Sequence, residues 1–123
     1  IVPQEEAVWA ALQKVFTKPD APTAIFASFD TLAEMIYLLL PRLGLRVPED
    51  VSLLGEGGVW REGAITRRLT SVVIDEIATG SKAVSILHEM RNGDRPIDDN
   101  EETVLQLSLS EGETLAVPAK MIA

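Results

Sequence analysis

The sequence predicts an α/β domain in which helices flank a mostly parallel β-sheet. Segments with apolar residues at helical spacing alternate with short apolar runs, and this alternation is typical of parallel sheets. Proline and glycine separate the segments, as expected of loops that join short elements. With 123 residues, 46% of them hydrophobic, the chain is long enough for one buried core.

The first half of the chain carries two helices around one strand. In the first helix, apolar residues recur at positions i, i+4 and i+7, which is the spacing of one helix face. The strand is a short apolar run between turn signals, typical of a buried parallel strand. The predicted elements are a helix over residues 5–17, a buried strand over 23–27, and a helix over 31–43 that Asp30 caps, Pro41 kinks and Gly44 ends.

The second half carries three strands and one helix. β-branched residues favour the middle strand, and strict alternation favours a half-buried last strand. The chain end, 115–123, is expected to be extended or frayed. The predicted elements are a tight loop over residues 47–50, a strand over 51–54, a flexible glycine loop from Gly55 to Gly58 and beyond, a strand over 69–74, a helix from a cap at Asp75 or Thr79 to Arg91, and a strand over 103–109.

The second helix has more apolar surface than contact with one sheet requires. Leu32, Met35, Ile36 and Leu39 form one stripe, and other apolar side chains lie on the remaining sides. A helix that packs on a sheet needs a single stripe. The surplus predicts either a second protein partner, such as another subunit, or burial of the helix within this chain.

The charge and composition exclude several classes of protein. A net charge of −8 argues against a DNA-binding surface, because DNA affinity depends on Lys and Arg that neutralise phosphates. Arg61, Arg67 and Arg68 form a small basic island, which either binds an anionic effector or is solvated. The absence of cysteine excludes disulfides and fits a cytoplasmic protein. We expect neither a secretion signal nor a membrane span.

No motif predicts catalysis, a cofactor or a metal site. His88 is the only histidine, lies mid-helix, and is not accompanied by the serine elbow of a hydrolase. The glycine loop lacks the third spaced glycine of a dinucleotide motif and the Lys-Ser/Thr of a phosphate loop. The sequence therefore predicts a non-catalytic protein without a cofactor.

The candidates for ligand binding lie where strands end. Phe29 and Asp30 follow the first strand, and the glycine loop with Glu56 and Gly57 follows the second. Small ligands bind at the carboxyl ends of parallel strands. Phe29 and Trp60 have faces suited to stacking on a sugar ring or a base. The alternatives are a helix-capping role for Asp30 and core positions for the two aromatic residues.

One long stretch and several shorter ones resemble a known family. The run L-G-L-R-V-P-E-D-V-S-L-L-G, residues 43–55, joins a helix stop, a rigid proline turn and a buried strand in fixed order. Shorter matches are residues 22–27, 30–33 and 69–72, with Gly80 and Ala83. Over residues 22–114 the order of these signals is similar to the sensor domain of LacI/GalR-type bacterial transcription regulators.

The resemblance implies one lobe of a periplasmic-binding-protein-like (type I) fold. Residues 1–123 would be the C-terminal lobe of an effector-binding and dimerisation domain, without the DNA-binding headpiece and most of the first lobe. A small effector, sugar-like or other, would bind non-covalently in a cleft between the lobes. The dimer face would combine the second-helix stripe with Ile65 and Leu69. The third helix would pack on the absent lobe, and DNA would be bound only through the headpiece.

The sequence also departs from this family at the site. The family's acidic residue two positions after the strand-ending glycine is replaced by Gly57, and its polar residue ahead of Asp30 is replaced by Phe29. Residues 111–114 replace an Arg-x-Ser near the last strand. The alternative function is a solute-binding protein of a sugar ABC transporter, which has the same fold. An enzyme on an α/β scaffold is a third, less supported option.

Overall fold

The computed structural model describes residues 4–58 and 65–119. The chain divides into two compact units, Ile1–Val73 with Leu109–Ala123, and Ile74–Ser108. None of the described helices is long and apolar enough to cross a bilayer. The described elements, in the predicted order, are α1 (Glu5–Phe16), β1 (Ala24–Phe26), α2 (Asp30–Leu39), β2 (Ser52–Gly57), β3 (Thr70–Val73), α3 (Glu76–Asn92) and β4 (Ser108–Ser110).

A four-stranded sheet with the order β1-β2-β3-β4 organises the first unit. β2 pairs in parallel with both β1 and β3, and Gly55 lies opposite Ser71. The predicted α/β class with a mostly parallel sheet is therefore confirmed. The predicted burial of the first strand is wrong for Ala24 and Phe26, which are exposed. Alternating residues of a strand share one face, and Ile25, on the other face, is the residue that packs against the core.

The core of the first unit lies between α2 and β2. Ala33, Ile36 and Leu39 are spaced along one face of α2, and none is more than 6% exposed. Leu53 of β2 is completely buried. Burial of this apolar surface is the main favourable contribution to folding. Within residues 4–58 and 65–119, the buried apolar residues are Leu12, Ala27, Ala33, Ile36, Leu39, Leu40, Val47, Val51 and Leu53.

The segment after α2 is a 3₁₀ helix, Leu40–Leu43, where the sequence predicted a continued α-helix. Pro41 has no N–H to donate, which disfavours the α-helical hydrogen bond at that position. Gly44 ends the segment with φ of 72°, a left-handed conformation that suits glycine. In the next turn the backbone N–H and Nε of Arg46 donate to Asp50 at 2.9 and 2.8 Å. These hydrogen bonds from Arg46 lower the pKa of Asp50.

Residues 112–116, which we call the return segment, form hydrogen bonds with both β2 and β3. Thr114 is completely buried. Its hydroxyl accepts from the Thr70 N–H at 2.9 Å and donates to the Leu53 carbonyl at 2.6 Å. Its own carbonyl accepts from the Leu53 N–H at 2.8 Å. Thr114 thus supplies the hydrogen bonds at the point where β3 begins.

The return segment favours the extended alternative over the frayed one for the start of the predicted 115–123 stretch, of which residues 120–123 lie outside the described residues. The Ala116 N–H donates to Ser52 Oγ at 2.9 Å, so the start of the 115–123 stretch is hydrogen-bonded. At Gly112, a side-chain Cβ would lie 2.6 Å from the Leu69 carbonyl carbon. Backbone cannot move aside as a flexible side chain can, so this close approach requires glycine.

The second unit contains α3 and the loop that follows it. Of the two predicted caps, Asp75 is the one observed, since its carboxylate accepts from the Ala78 N–H at 2.8 Å. Gly93 ends the helix with φ of 83°, a left-handed conformation that suits glycine. No residue of α3 is buried. Three apolar side chains of α3 are exposed: Ile77 (84%), Val84 (67%) and Leu87 (65%).

One prediction for the second unit is wrong in part. Regular strand is confined to Ser108–Ser110, whereas a half-buried strand was predicted over 103–109. Leu105 and Leu107 are exposed, because alternation alone does not provide a surface to cover one face. In the acidic loop that follows α3, Arg95 binds Asp99 at 2.6 Å. The Arg95 hydrogen bond lowers the pKa of Asp99.

We predict that Thr114→Val destabilises the first unit by about 1–3 kcal/mol, because the isosteric side chain leaves the buried Thr70 N–H without its acceptor. The matched control is Thr103→Val, which changes an exposed side chain. The free energy of unfolding from guanidinium titration measures both. Equal stabilities of the two variants would show that the return segment contributes nothing through this hydroxyl.

Candidate functional site

The carboxyl ends of β1 and β2 meet at one edge of the sheet. The two strands are parallel, so the residues that follow them emerge on the same side. The Ala27 N–H donates to the Leu54 carbonyl at 2.8 Å, which keeps the pairing beyond the end of β1. The structure therefore brings Asp30 and the glycines of β2 together, as the sequence predicted.

Asp30 is buried at this edge and does not cap α2. The N-cap position is occupied by Phe29, in extended conformation, and Asp30 is the first residue of the helix. Asp30 Oδ1 accepts a hydrogen bond from Ser71 Oγ at 2.7 Å. A carboxylate in the first turn also interacts favourably with the helix dipole. The capping alternative for Asp30 is wrong, because its carboxylate is directed to β3.

The glycines of β2 leave room for the Asp30 carboxylate. A Cβ on Gly55 would clash with Asp30 Oδ1 and would lie 2.8 Å from Leu69 Cδ2. A Cβ on Gly57 would lie 3.2 Å from Asp30 Oδ2, and the φ of Gly57 is +129°. Gly55–Gly57 were predicted as a flexible loop, which is wrong. They are strand residues, because each pairs with a residue of β3.

The structure does not bring the remaining predicted binding residues into the group around Asp30. Phe29 is half-buried beside Asp30. Glu56 is half-buried in β2, and strand alternation puts it on the sheet face opposite to Gly55 and Gly57. Trp60 lies outside the described residues. The residues that lie close together at the strand ends are therefore Asp30, Gly55 and Gly57.

Ser71 belongs to this group and was missed by sequence reasoning. Its hydroxyl donates to Asp30 and accepts from the Gly58 N–H at 3.0 Å. It lies 3% exposed in a strand otherwise made of Thr and Val. The only residue without a β-branched side chain in this run was the available signal, because a buried serine hydroxyl requires a hydrogen-bond partner.

The basic island is largely engaged within the chain. Arg67 binds Glu49 at 2.7 Å, and Arg68 Nη2 donates to Ser110 Oγ at 3.3 Å. A backbone hydrogen bond and the Arg67 guanidinium lower the pKa of Glu49. Arg61 lies outside the described residues. Arg67 is thus occupied by an ion pair within the chain.

His88 is an exposed helix residue. Its Nε2 lies 3.0 Å from Asn92 Nδ2, one turn further along α3. Among residues 4–58 and 65–119, no three His, Cys, Asp or Glu side chains are grouped as a metal site requires. Nothing in the described surroundings of His88 resembles a nucleophile–base arrangement.

The candidate dimer residues fall into two groups. Ile36 and Leu39 are 6% and 2% exposed and belong to the core of this chain, so burial within the chain is the correct interpretation for these two. Leu32 and Met35 are half-buried, as are Ile65 and Leu69. The most exposed apolar side chain of α2 is Leu38, at 59%, which the predicted stripe omitted.

Comparison with known proteins gives the same family as the sequence motifs. A family model described as periplasmic binding protein-like domain matches residues 2–115. The chain belongs to this family. It corresponds to the effector-binding domain of LacI/GalR-type regulators, so the resemblance inferred from the motifs is confirmed.

Individual relatives of this periplasmic binding protein-like domain are transcription regulators. The HTH-type transcriptional repressor PurR of Escherichia coli O139:H28 is 32% identical over 84 residues. A LacI family transcriptional regulator from Bifidobacterium animalis subsp. lactis has the same fold, with a TM-score of 0.78 at 24% identity over 94% of this chain. A LacI family regulator from Arthrobacter sp. FB24, solved with lactose, has a TM-score of 0.72 at 26% identity over 91% of this chain.

The domain covers only part of each of these relatives. It spans 25% of the PurR repressor, through a match over 68% of this chain. It spans 41% of the Bifidobacterium chain and 40% of the Arthrobacter chain. The activities of those longer proteins therefore apply to this chain only as proposals.

We predict that Gly55→Ala destabilises the domain by about 1–3 kcal/mol, because the added methyl group overpacks the space held by Asp30 and Leu69. Gly80→Ala is the matched control. A Cβ there meets nothing within 4 Å, and alanine in a helix interior is about 0.5–1 kcal/mol more favourable than glycine. Thermal and denaturant unfolding measure both variants. A Gly55→Ala protein as stable as the wild type would contradict the described close packing of Gly55 against Asp30 and Leu69.

Proposed function

We propose that this chain is the effector-sensing and dimerisation part of a bacterial DNA-binding transcription regulator. The observation that supports it most is the convergence of Asp30, Gly55, Gly57 and Ser71 at the carboxyl edge of a parallel sheet. Open α/β sheets bind small molecules at this edge. The regulators among its relatives support a sensing role rather than a catalytic one.

The effector would be a small, neutral or weakly charged molecule bound without covalent chemistry. Arg67 forms an ion pair with Glu49, which leaves little support for a strongly anionic ligand at this residue. Phe29 offers an apolar face for stacking, and Trp60 is proposed to do the same. Neighbours of this fold are described with lactose and with ribose. A sugar, or another small polar molecule with a ring that can stack on an aromatic side chain, therefore fits best.

Sensing would act through closure of two lobes. The apolar side chains of α3 that are exposed in this chain, such as Ile77 and Val84, are suited to contact with a first lobe outside residues 1–123. An effector that binds the closed arrangement more tightly shifts the population toward it. The shift would alter a DNA-binding headpiece, also outside this chain, in the cytoplasm. The net charge of −8 fits a lobe that does not itself bind DNA.

Dimerisation would use the outer face of α2. Met35 and Leu38 supply half-buried and exposed apolar surface there, and Leu32, Ile65 and Leu69 would join it from its margins. Ile36 and Leu39 would hold the helix against the sheet from inside. A lac repressor with the same fold is described as dimeric, which supports a homodimer here.

We predict that Leu38→Asp converts the dimer to monomer, because a charge replaces an exposed apolar side chain at the centre of the proposed interface. Sedimentation velocity across a concentration series measures the change. Val117→Asp is the control, since Val117 is 64% exposed in the same unit and outside the proposed interface. A Leu38→Asp protein with unchanged sedimentation would remove the dimer assignment.

We predict that Asp30→Asn lowers effector affinity roughly tenfold to a hundredfold, the range expected for altering a buried charged hydrogen bond. Isothermal titration calorimetry on the intact protein, with ribose, lactose and a free nucleobase as probes, measures the affinity. Glu111→Gln, at an exposed position, is the control. Equal affinity of Asp30→Asn and wild type would exclude this edge of the sheet as the effector site.

A further inference from the structure

Ser71 occupies a position that neither a core residue nor a simple surface hydroxyl explains. Its side chain lies between the Asp30 carboxylate and the Gly58 N–H, at 2.7 and 3.0 Å from them. It is 3% exposed, so water does not provide substitutes for either partner. The hydroxyl therefore joins the start of α2 to the chain that leaves β2.

The direction of these hydrogen bonds is fixed by chemistry. The Gly58 backbone N–H is only a donor, so Ser71 Oγ must accept from it. The single hydroxyl proton is then available for Asp30, which accepts it at Oδ1. A hydroxyl has one donor and two acceptor sites, and this arrangement uses the donor and one acceptor.

The chain held by this hydroxyl has an uncommon backbone conformation. Gly57 and Gly58 have φ of +129° and +76°, values that side-chain-bearing residues rarely adopt. A Cβ on Gly58 would lie 2.7 Å from Val73 Cγ2, so the turn lies directly against the end of β3. Glycine permits many conformations at this place, and an external contact is needed to select one.

We propose that Ser71 is a positioning residue of the effector site, which fixes the Gly57–Gly58 turn by accepting a hydrogen bond from the Gly58 N–H. This inference rests on the proposed function of the strand edge. Asp30 acts in it as the acceptor that orients Ser71. An effector at this edge would meet the turn through backbone groups, because Gly57 has no side chain and Asp30 fills the space a side chain would need.

Two isosteric variants test the proposal. Ser71→Thr keeps the hydroxyl and Ser71→Val removes it, while both have the same β-branched shape, which suits a strand. Amide hydrogen exchange is measured on the protein without ligand. We expect Gly58 exchange to be about five- to tenfold faster in the Val variant than in the Thr variant, as for the loss of one hydrogen bond. Exchange at the core amide of Leu53 should be equal in the two.

Effector binding is the second readout. With ribose, lactose and a nucleobase as probes, dissociation of the bound probe should be about five- to tenfold faster for Ser71→Val than for Ser71→Thr. If no probe binds the wild type but the Gly58 exchange differs as expected, the proposed function fails and the positioning role stands. If Gly58 exchange is the same in both variants, the positioning role is overturned.

A folding failure of the branched variants does not end the test. Ser71→Ala removes the hydroxyl without adding volume, and its Gly58 exchange is then compared with that of the wild type. Faster exchange at Gly58 with unchanged exchange at Leu53 supports the proposal. Equal exchange at Gly58, or faster exchange at every amide, contradicts it, because the hydroxyl would then have no local role or only a general structural one.

Discussion

The buried Asp30 carboxylate lies over two glycines of β2, and the form of the strand edge depends on this placement. A side chain at Gly55 or Gly57 would occupy the space that the carboxylate fills. Ser71 reaches the same carboxylate from β3. The residues after β1, the end of β2 and the second residue of β3 are therefore connected through one side chain. A carboxyl group this deeply buried is tolerable only because it is hydrogen-bonded.

The first unit is built from two separate parts of the chain. Residues before α3 form most of the sheet and core, and the return segment completes the pairing of β2 and β3 through Thr114. The 35 residues between them, Ile74–Ser108, form a unit without a single buried residue in its helix. Such a unit has little apolar burial of its own, so the hydrophobic effect within it contributes little to its stability.

The sequence predicted the fold class, the order of the elements and the meeting of the strand ends, but not the interactions within the site. Asp30 was identified as a binding candidate, while its partner Ser71 was not. Ile36 and Leu39 were assigned to a dimer face, yet the structure buries both in the core. An apolar stripe indicates that one helix face is covered, but not whether the same chain or a partner covers it.

The sequence by itself determined several of the positions at which helices begin and end. Gly44 and Gly93 end helices because their left-handed conformation suits glycine, and Asp75 caps α3 through a residue three positions away. Only the tertiary structure decided which distant groups meet, such as Asp30 with Ser71 and Thr114 with Leu53, which are 41 and 61 residues apart. Local conformation follows from neighbouring residues along the chain, whereas these contacts depend on strand order and register, which local sequence does not specify.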